Sequence, residues 1–137
     1  MHIFLDTSAL AKRYIYEKGT EKVNEIFVQA TTVSVSILCL PEIFSALARR
    51  RREKKINLKE YSQIKQFIVK DFQDFSVCEL TPRIISEAII LLEKHSLRTM
   101  DALHLACSLE IKPDIFISSD EKQIFAAKKI NLKVLDV

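Results

Sequence analysis

Five short runs of apolar or β-branched residues recur along the 137-residue chain, at 2–6, 32–37 (TVSVSI), 75–80, 114–118 (DIFIS) and 133–136. The stretches between them carry apolar residues at helical spacing instead. Val23, Ile26, Phe27 and Ala30 make one such stripe; Ile43, Phe44, Leu47 and Ala48 another; Tyr61, Ile64, Ile68, Phe72 and Phe75 a third. The predicted order is β-α-α-β-α-α-β-α-α-β-α-β. Strands separated by helical crossovers pair in parallel, with helices on both faces of the sheet. The runs are apolar throughout rather than alternating, as expected when neither face meets water.

Local signals set the helix ends. Residues 7–18 read as a helix stopped by Gly19, the only glycine, in a left-handed C-terminal cap. Pro41 suits the first turn of the helix after the second strand. Asn57 and Glu60 have the spacing of a capping box, and Thr81-Pro82 supplies a cap followed by a proline at the first helical position. Residues 98–111 form a helix ended by Pro113, and 120–130 form the last one. A helical hairpin is expected at about 41–75.

Composition narrows the class. One domain over 1–137 accounts for the length, and 48% hydrophobic residues exclude disorder. Apolar stretches such as 88–92 fall far short of the ~20 residues of a membrane span, so no membrane association is expected. The start lacks a basic segment, and Asp6 interrupts its apolar run, which is unlike a signal peptide. Cys39, Cys78 and Cys107 are odd in number, widely spaced and in apolar settings. They read as buried thiols of a cytoplasmic protein, neither a disulfide framework nor a zinc site. The net charge of +3 is unevenly spread. Residues 49–55 hold six basic residues in seven, leaving 15 basic against 17 acidic elsewhere.

Topology gathers four acids at one edge. Ligands of such sheets sit beyond the carboxyl ends of the strands. Asp6 ends the first strand, Asp120 follows the fourth, and Glu42 lies in the first turn after the second. Asp101 opens the helix that feeds the fourth strand. That helix runs antiparallel to its strand, so it starts at the same edge. Each acid alone has a plainer explanation, because carboxylates at helix N-termini satisfy free N–H groups and oppose the dipole. Converged, each close pair would repel by about 4 kcal/mol at ~4 Å and an effective dielectric of 20, and a divalent cation would be needed to hold them together. Oxygen ligands without paired His or Cys suit Mg²⁺ or Mn²⁺. Such a centre serves phosphodiester cleavage. Thr7, Ser8 and Ser118 add hydroxyls that either contact the phosphate or cap helices.

The segments Phe4-Leu5-Asp6-Thr7-Ser8-Ala9-Leu10, Pro41-Glu42-Ile43, Asp101-Ala102-Leu103-His104-Leu105-Ala106 and Ile117-Ser118-Ser119-Asp120 resemble those of PIN-domain ribonucleases, in order and over essentially the whole chain. The small size most resembles the VapC-type toxins of toxin–antitoxin pairs. The resemblance implies a three-layer α/β/α sandwich with a five-stranded parallel sheet and Mg²⁺- or Mn²⁺-dependent cleavage of single-stranded RNA. It further implies an acidic quartet of Asp6, Glu42, Asp101 and Asp120, a homodimer and a small antitoxin partner. Asp6 and Asp101 would be primary metal ligands, Glu42 a ligand or a base that positions water, and Asp120 a second-metal or outer acid.

The arginines at 49–52 cover every face of their helix, so that helix is expected to leave the core there. Arg49 and Arg50 are candidate phosphate contacts in a salt-dependent interaction, against the alternative of a solvated helix end. Arg98 is a candidate to hold a phosphate or a carboxylate, and Thr99 to cap its helix. His104, three residues after Asp101, reads as packed or capping, against the alternative that it touches the edge of the site. The aromatic residues lie mainly at core periodicity and define no base-stacking platform. Two other classes were weighed. A receiver-type signalling domain needs an Asp at the end of the third strand, where Cys78-Glu79 stands instead. A non-catalytic RNA-binding or scaffold module is disfavoured by four intact acids.

Overall fold

A computed structural model describes residues 1–137. The chain runs β1 (His2–Leu5), α1 (Thr7–Tyr14), α2 (Thr20–Gln29), β2 (Thr32–Ser36), α3 (Cys39–Arg52), α4 (Leu58–Asp74), β3 (Ser76–Cys78), α5 (Pro82–Lys94), α6 (Thr99–Ile111), β4 (Ile115–Ser118), α7 (Glu121–Lys129) and β5 (Val134–Asp136). All strands are parallel, in the order β3-β2-β1-β4-β5. The element order is the one the periodicity predicts.

Period-two alternation divides the core between the two faces of the sheet. Ile3, Leu5, Val35 and Ile117 point to one side, where they pack with Leu10, Ile43, Leu47 and Ile68 of α1, α3 and α4. Phe4 and Phe116 point to the other, with Leu91, Ala102, Leu105, Ala126 and Ala127 of α5, α6 and α7. The two phenylalanines are register partners, and their rings stack at 5.8 Å. Residues 101–108 of α6 are buried without a break. A helix apolar all round belongs inside its layer, and α6 packs against β2, α5 and α7.

Two helix ends differ from expectation. Helix α1 stops at Tyr14, with Ile15 extended, and Gly19 caps the start of α2 rather than the end of α1. Gly19 does take a left-handed φ of +97°, and a Cβ there would stand 2.8 Å from the main-chain carbon of Val137. Conformation and space both demand glycine at that point. Helix α3 starts at Cys39, two residues before Pro41. Proline is tolerated there because first-turn N–H groups have no partner inside the helix. The other two predicted caps are present: the Asn57–Glu60 box is reciprocal, and Thr81 accepts from the Ile84 N–H.

The arginine run is carried largely to the surface, but beyond Leu47 the α3–α4 hairpin still packs Ile56, Tyr61, Ile64 and Ile68 on the core. Arg49, Arg51 and Arg52 are exposed and Arg50 is half-buried. Its base is tied to α1 by an ion pair. Arg13 Nε and Nη2 donate to Asp71 at 2.6 and 3.0 Å, and the Tyr14 hydroxyl donates to the same carboxylate at 2.9 Å. The Arg13 guanidinium also lies 4.3 Å from the Phe27 ring centroid and 4.8 Å from that of Phe67. Removing one partner of such a pair strands the other. Asp71→Ala is expected to lower unfolding free energy by about 3 kcal/mol, measured by urea denaturation.

Candidate active site

The strand order reverses between β1 and β4, and that is where open parallel sheets place their ligands. Four helices, α1, α3, α6 and α7, begin near this crevice, and each carries an acid at or near its start.

Asp6 follows β1 and is 3% exposed. Its Oδ1 accepts from the Ala9 N–H at 3.0 Å and the Ser8 hydroxyl at 2.6 Å, and its Oδ2 accepts from the Ser118 hydroxyl at 2.5 Å. Ser118 reaches it because Leu5 is in register with Ile117 on the neighbouring strand. The same Ser118 oxygen accepts from the Asp120 N–H, and the Ser8 oxygen accepts from the Ser119 N–H, both at 3.0 Å. Two hydroxyls thus stitch the β1–α1 turn to the β4–α7 turn. Burial pushes the Asp6 carboxyl above its ordinary range, and the donors from Ser118, Ser8 and Ala9 only partly offset this.

Glu42 lies one strand over, in the first turn of α3. Its Oε1 accepts from the Thr7 hydroxyl at 2.7 Å and lies 2.6 Å from His104 Nε2. Thr7 and His104 are themselves 3.2 Å apart. Burial alone would raise the Glu42 carboxyl, but the His104 and Thr7 hydrogen bonds outweigh it and hold the carboxyl below its ordinary range. His104 is 2% exposed, and its Nδ1 is buried without a partner. Nε2 therefore carries the proton that Glu42 accepts.

Asp101, in the first turn of α6, accepts from Arg98 Nε at 3.1 Å. Asp120 caps α7 through the Gln123 N–H at 3.0 Å, and its other oxygen accepts from Arg98 Nη2 at 3.4 Å. One guanidinium spans the two carboxylates, and 74% of its side chain is exposed.

The structure thus brings Asp6, Glu42, Asp101 and Asp120 to one edge and links them through Thr7, Ser118 and Arg98. Asp6 and Asp120 also cap their own helices, as the plainer explanation held. No three histidine, cysteine, aspartate or glutamate side chains converge as a ready-made metal cage. Arg49 and Arg50 sit two turns along α3 from Glu42 and make no hydrogen bond to these acids. Thr99 does not cap α6; Arg98 occupies that position without a side-chain cap. His104 belongs to the site through Glu42 and Thr7. Its spacing of three from Asp101 places both on one face of α6, and that is the signal for it.

This is an α/β/α protein with an acidic centre at the switch point of a parallel sheet, ringed by hydroxyls and helix N-termini. The chain belongs to the PIN domain family, whose pattern matches residues 3–130. A curated relative, ribonuclease VapC45 of Mycobacterium tuberculosis (strain CDC 1551 / Oshkosh), is 28% identical over 113 residues, covering 80% of this chain and 76% of the relative. Among solved structures, M. tuberculosis VapC20, described as a Sarcin-Ricin loop cleaving toxin, has a TM-score of 0.72 at 16% identity and covers 98% of both chains. A toxin–antitoxin complex from Klebsiella pneumoniae gives 0.67 at 14%, covering 89% of both. The strand order also separates this fold from the 2-1-3-4-5 order of receiver domains.

His104→Leu is expected to raise the Glu42 carboxyl, because burial is then opposed only by the Thr7 hydrogen bond and the charge of Arg98; a side-chain carboxyl NMR titration reads this directly. The sign for stability follows. A carboxyl held below its ordinary 4.5 stabilises the fold above that pH, and this contribution is lost as pH falls through the folded value. The stability gap between native protein and variant should be widest above pH 4.5 and narrow on acidification.

Proposed function

We propose that this chain is a Mg²⁺- or Mn²⁺-dependent endoribonuclease that cleaves single-stranded RNA, and the toxin of a toxin–antitoxin pair. The observation that carries the reading is Asp6. It is a buried carboxylate whose three donors are all neutral, at the crevice of a PIN-domain sheet. Its negative charge lacks a hydrogen-bonded counter-charge, and a hard cation is what would supply one.

The donor set fits that cation. Asp6, Asp101, Glu42 and Asp120 offer oxygen alone, which suits Mg²⁺ or Mn²⁺ over zinc. Asp6 and Asp101 would be the principal ligands, with Glu42 and Asp120 completing the site or holding its waters. A bound ion of this kind lowers the pKa of a coordinated water and stabilises charge on the phosphate oxygens. Glu42, kept ionised by Thr7 and His104, is the proton acceptor for the attacking water. Arg98 is exposed enough to turn from the acids to a phosphate. Ser8 and Ser118 hold Asp6 in place, and the Thr7 hydroxyl fixes the Glu42 oxygen. The N-termini of α1, α3, α6 and α7 add a field that favours the phosphate.

Relatives named as ribonucleases support RNA as substrate, and structural neighbours described as toxin–antitoxin complexes support a protein antitoxin as partner; a homodimer as the working form belongs to the same proposal. One observation favours a non-catalytic RNA-binding module instead. Arg98 already neutralises two of the four acids.

Cleavage decides between them. The native protein with Mn²⁺ is expected to cut a labelled single-stranded RNA, EDTA to stop it, and Asp6→Asn or Asp101→Asn to lower the rate at least a hundredfold. Burial raises the Asp6 carboxyl, so its ionised form weakens the fold at neutral pH and protonation at lower pH relieves that cost. Asp6→Asn should therefore melt no lower than the native protein at pH 7, and Mn²⁺ should raise the melting temperature of the native protein alone. Binding of RNA without cleavage would establish the non-catalytic module.

A further inference from the structure

Beside the acidic centre lies a groove of about 550 Å³ with the opposite charge. One wall is the outer face of α7, where Lys122, Phe125 and Lys129 fall at i, i+3 and i+7 and so form one stripe. The other wall is the end of α5 and the turn after it, with Lys94 and His95. Glu121 is the only acid in the lining, against three lysines. The chain leaves this wall at Ser96 and two residues later reaches Arg98, whose guanidinium touches Asp120 at the head of α7. The groove therefore opens onto the corner of the candidate active site.

Phe125 is what makes this more than a charged surface. Its side chain is 62% exposed on a helix whose other large apolar residue, Ile124, is buried. Lys129 Nζ stands 4.6 Å from the ring centroid, and most of the ring is left to solvent. Periodicity in the sequence suggests no aromatic platform, but the structure leaves this ring exposed. A second copy of the chain docking here through this face would oppose lysines to lysines. A bare aromatic ring between cations is instead what single-stranded nucleic acid uses, with a base on the ring and phosphates on the lysines. From Lys122 to Lys129 the helix advances about 10 Å, enough for the two lysines to reach different phosphates of one strand.

We propose that this groove binds the RNA flanking the cleavage point, with Phe125 stacking one base and Lys122 and Lys129 holding its phosphates. The proposal rests on the ribonuclease reading and extends it from the reacting phosphate to the neighbouring nucleotides. It also gives a role to the lysines of α7, outside the acids. An acidic centre repels a polyanion, so binding strength has to come from beside it.

The test compares an eight-nucleotide single-stranded RNA with a dinucleotide, both labelled, under Mn²⁺. In Lys122→Ala/Lys129→Ala, KM for the octamer is expected to rise about tenfold with kcat retained, while the dinucleotide is handled as by the native protein. Two lost phosphate contacts should reduce the slope of log affinity against log salt by about 1.4. Phe125→Ala should raise the octamer KM by about tenfold. Phe125→Trp should restore it and Phe125→Leu should not, which separates stacking from apolar bulk. Unchanged octamer KM and salt slope in these variants would overturn the groove. If the native protein cuts neither substrate, the ribonuclease reading fails by itself. Octamer binding by fluorescence anisotropy then still decides the groove, with native-like affinity in the variants refuting it.

Discussion

The parallel pairing of β1 with β4 is the constraint on which the rest of the structure depends. Paired residues of these strands are 112 positions apart in the chain, and their register sets Leu5 beside Ile117. That places Asp6 and Ser118 one step beyond a shared hydrogen-bonded edge. From this pairing follow the Ser118 bond to Asp6, the return bond from the Asp120 N–H and the Ser8 bond to the Ser119 N–H. A slip of one residue would turn Phe116 and Ile117 to the wrong faces and disrupt both halves of the core. The same apolar packing that fixes the sheet therefore fixes the acid centre.

The four acids are held in two electrostatic regimes. Asp6 is buried among neutral donors and Glu42 among a hydroxyl and an imidazole, whereas Asp101 and Asp120 share an exposed guanidinium. Burial raises the first carboxyl, while the hydrogen bonds of His104 and Thr7 lower the second. The four acids thus comprise one with no hydrogen-bonded counter-charge, one bonded to a hydroxyl and an imidazole, and two that share one guanidinium. These are separable settings created by environment, since the residue types alone are nearly equivalent.

Much of this was legible in the sequence because it is local or topological. Short apolar runs and helical stripes give the element order, and Asn57–Glu60 and Thr81-Pro82 give caps, because each depends on residues within one turn. The rule that a helix feeding a parallel strand starts at the strand's carboxyl edge places Asp101 at the same edge as Asp6 without coordinates. What was not legible depends on side chains meeting across long separations. His104 looked like a packing residue until α3 brought Glu42 to its Nε2. Arg98 offered either a phosphate or a carboxylate contact, and only the joint placement of α6 and α7 shows that it spans two acids. Gly19 read as a helix stop, but its need for a positive φ arises where the chain end comes close. Phe125 fits a helical stripe in sequence, and nothing local reveals that no element covers it.

The distribution of charge follows from the chemistry that a centre of this kind would have to perform. Carboxylates that concentrate a hard cation also repel the phosphodiester it acts on, and at close range in a low dielectric this repulsion is severe. A chain can offset it by placing helix N-termini around the acids, as α1, α3, α6 and α7 do, and by keeping an exposed cation at the rim, as Arg98 does. Neither device holds nucleotides beyond the reacting one. The lysines of α7 lie outside the acid cluster yet on the helix that Asp120 caps, so the element that presents an acid to the centre also presents cations to the flanking strand. Sign-separated charge on one rigid helix lets the two demands coexist without the lysines collapsing onto the carboxylates.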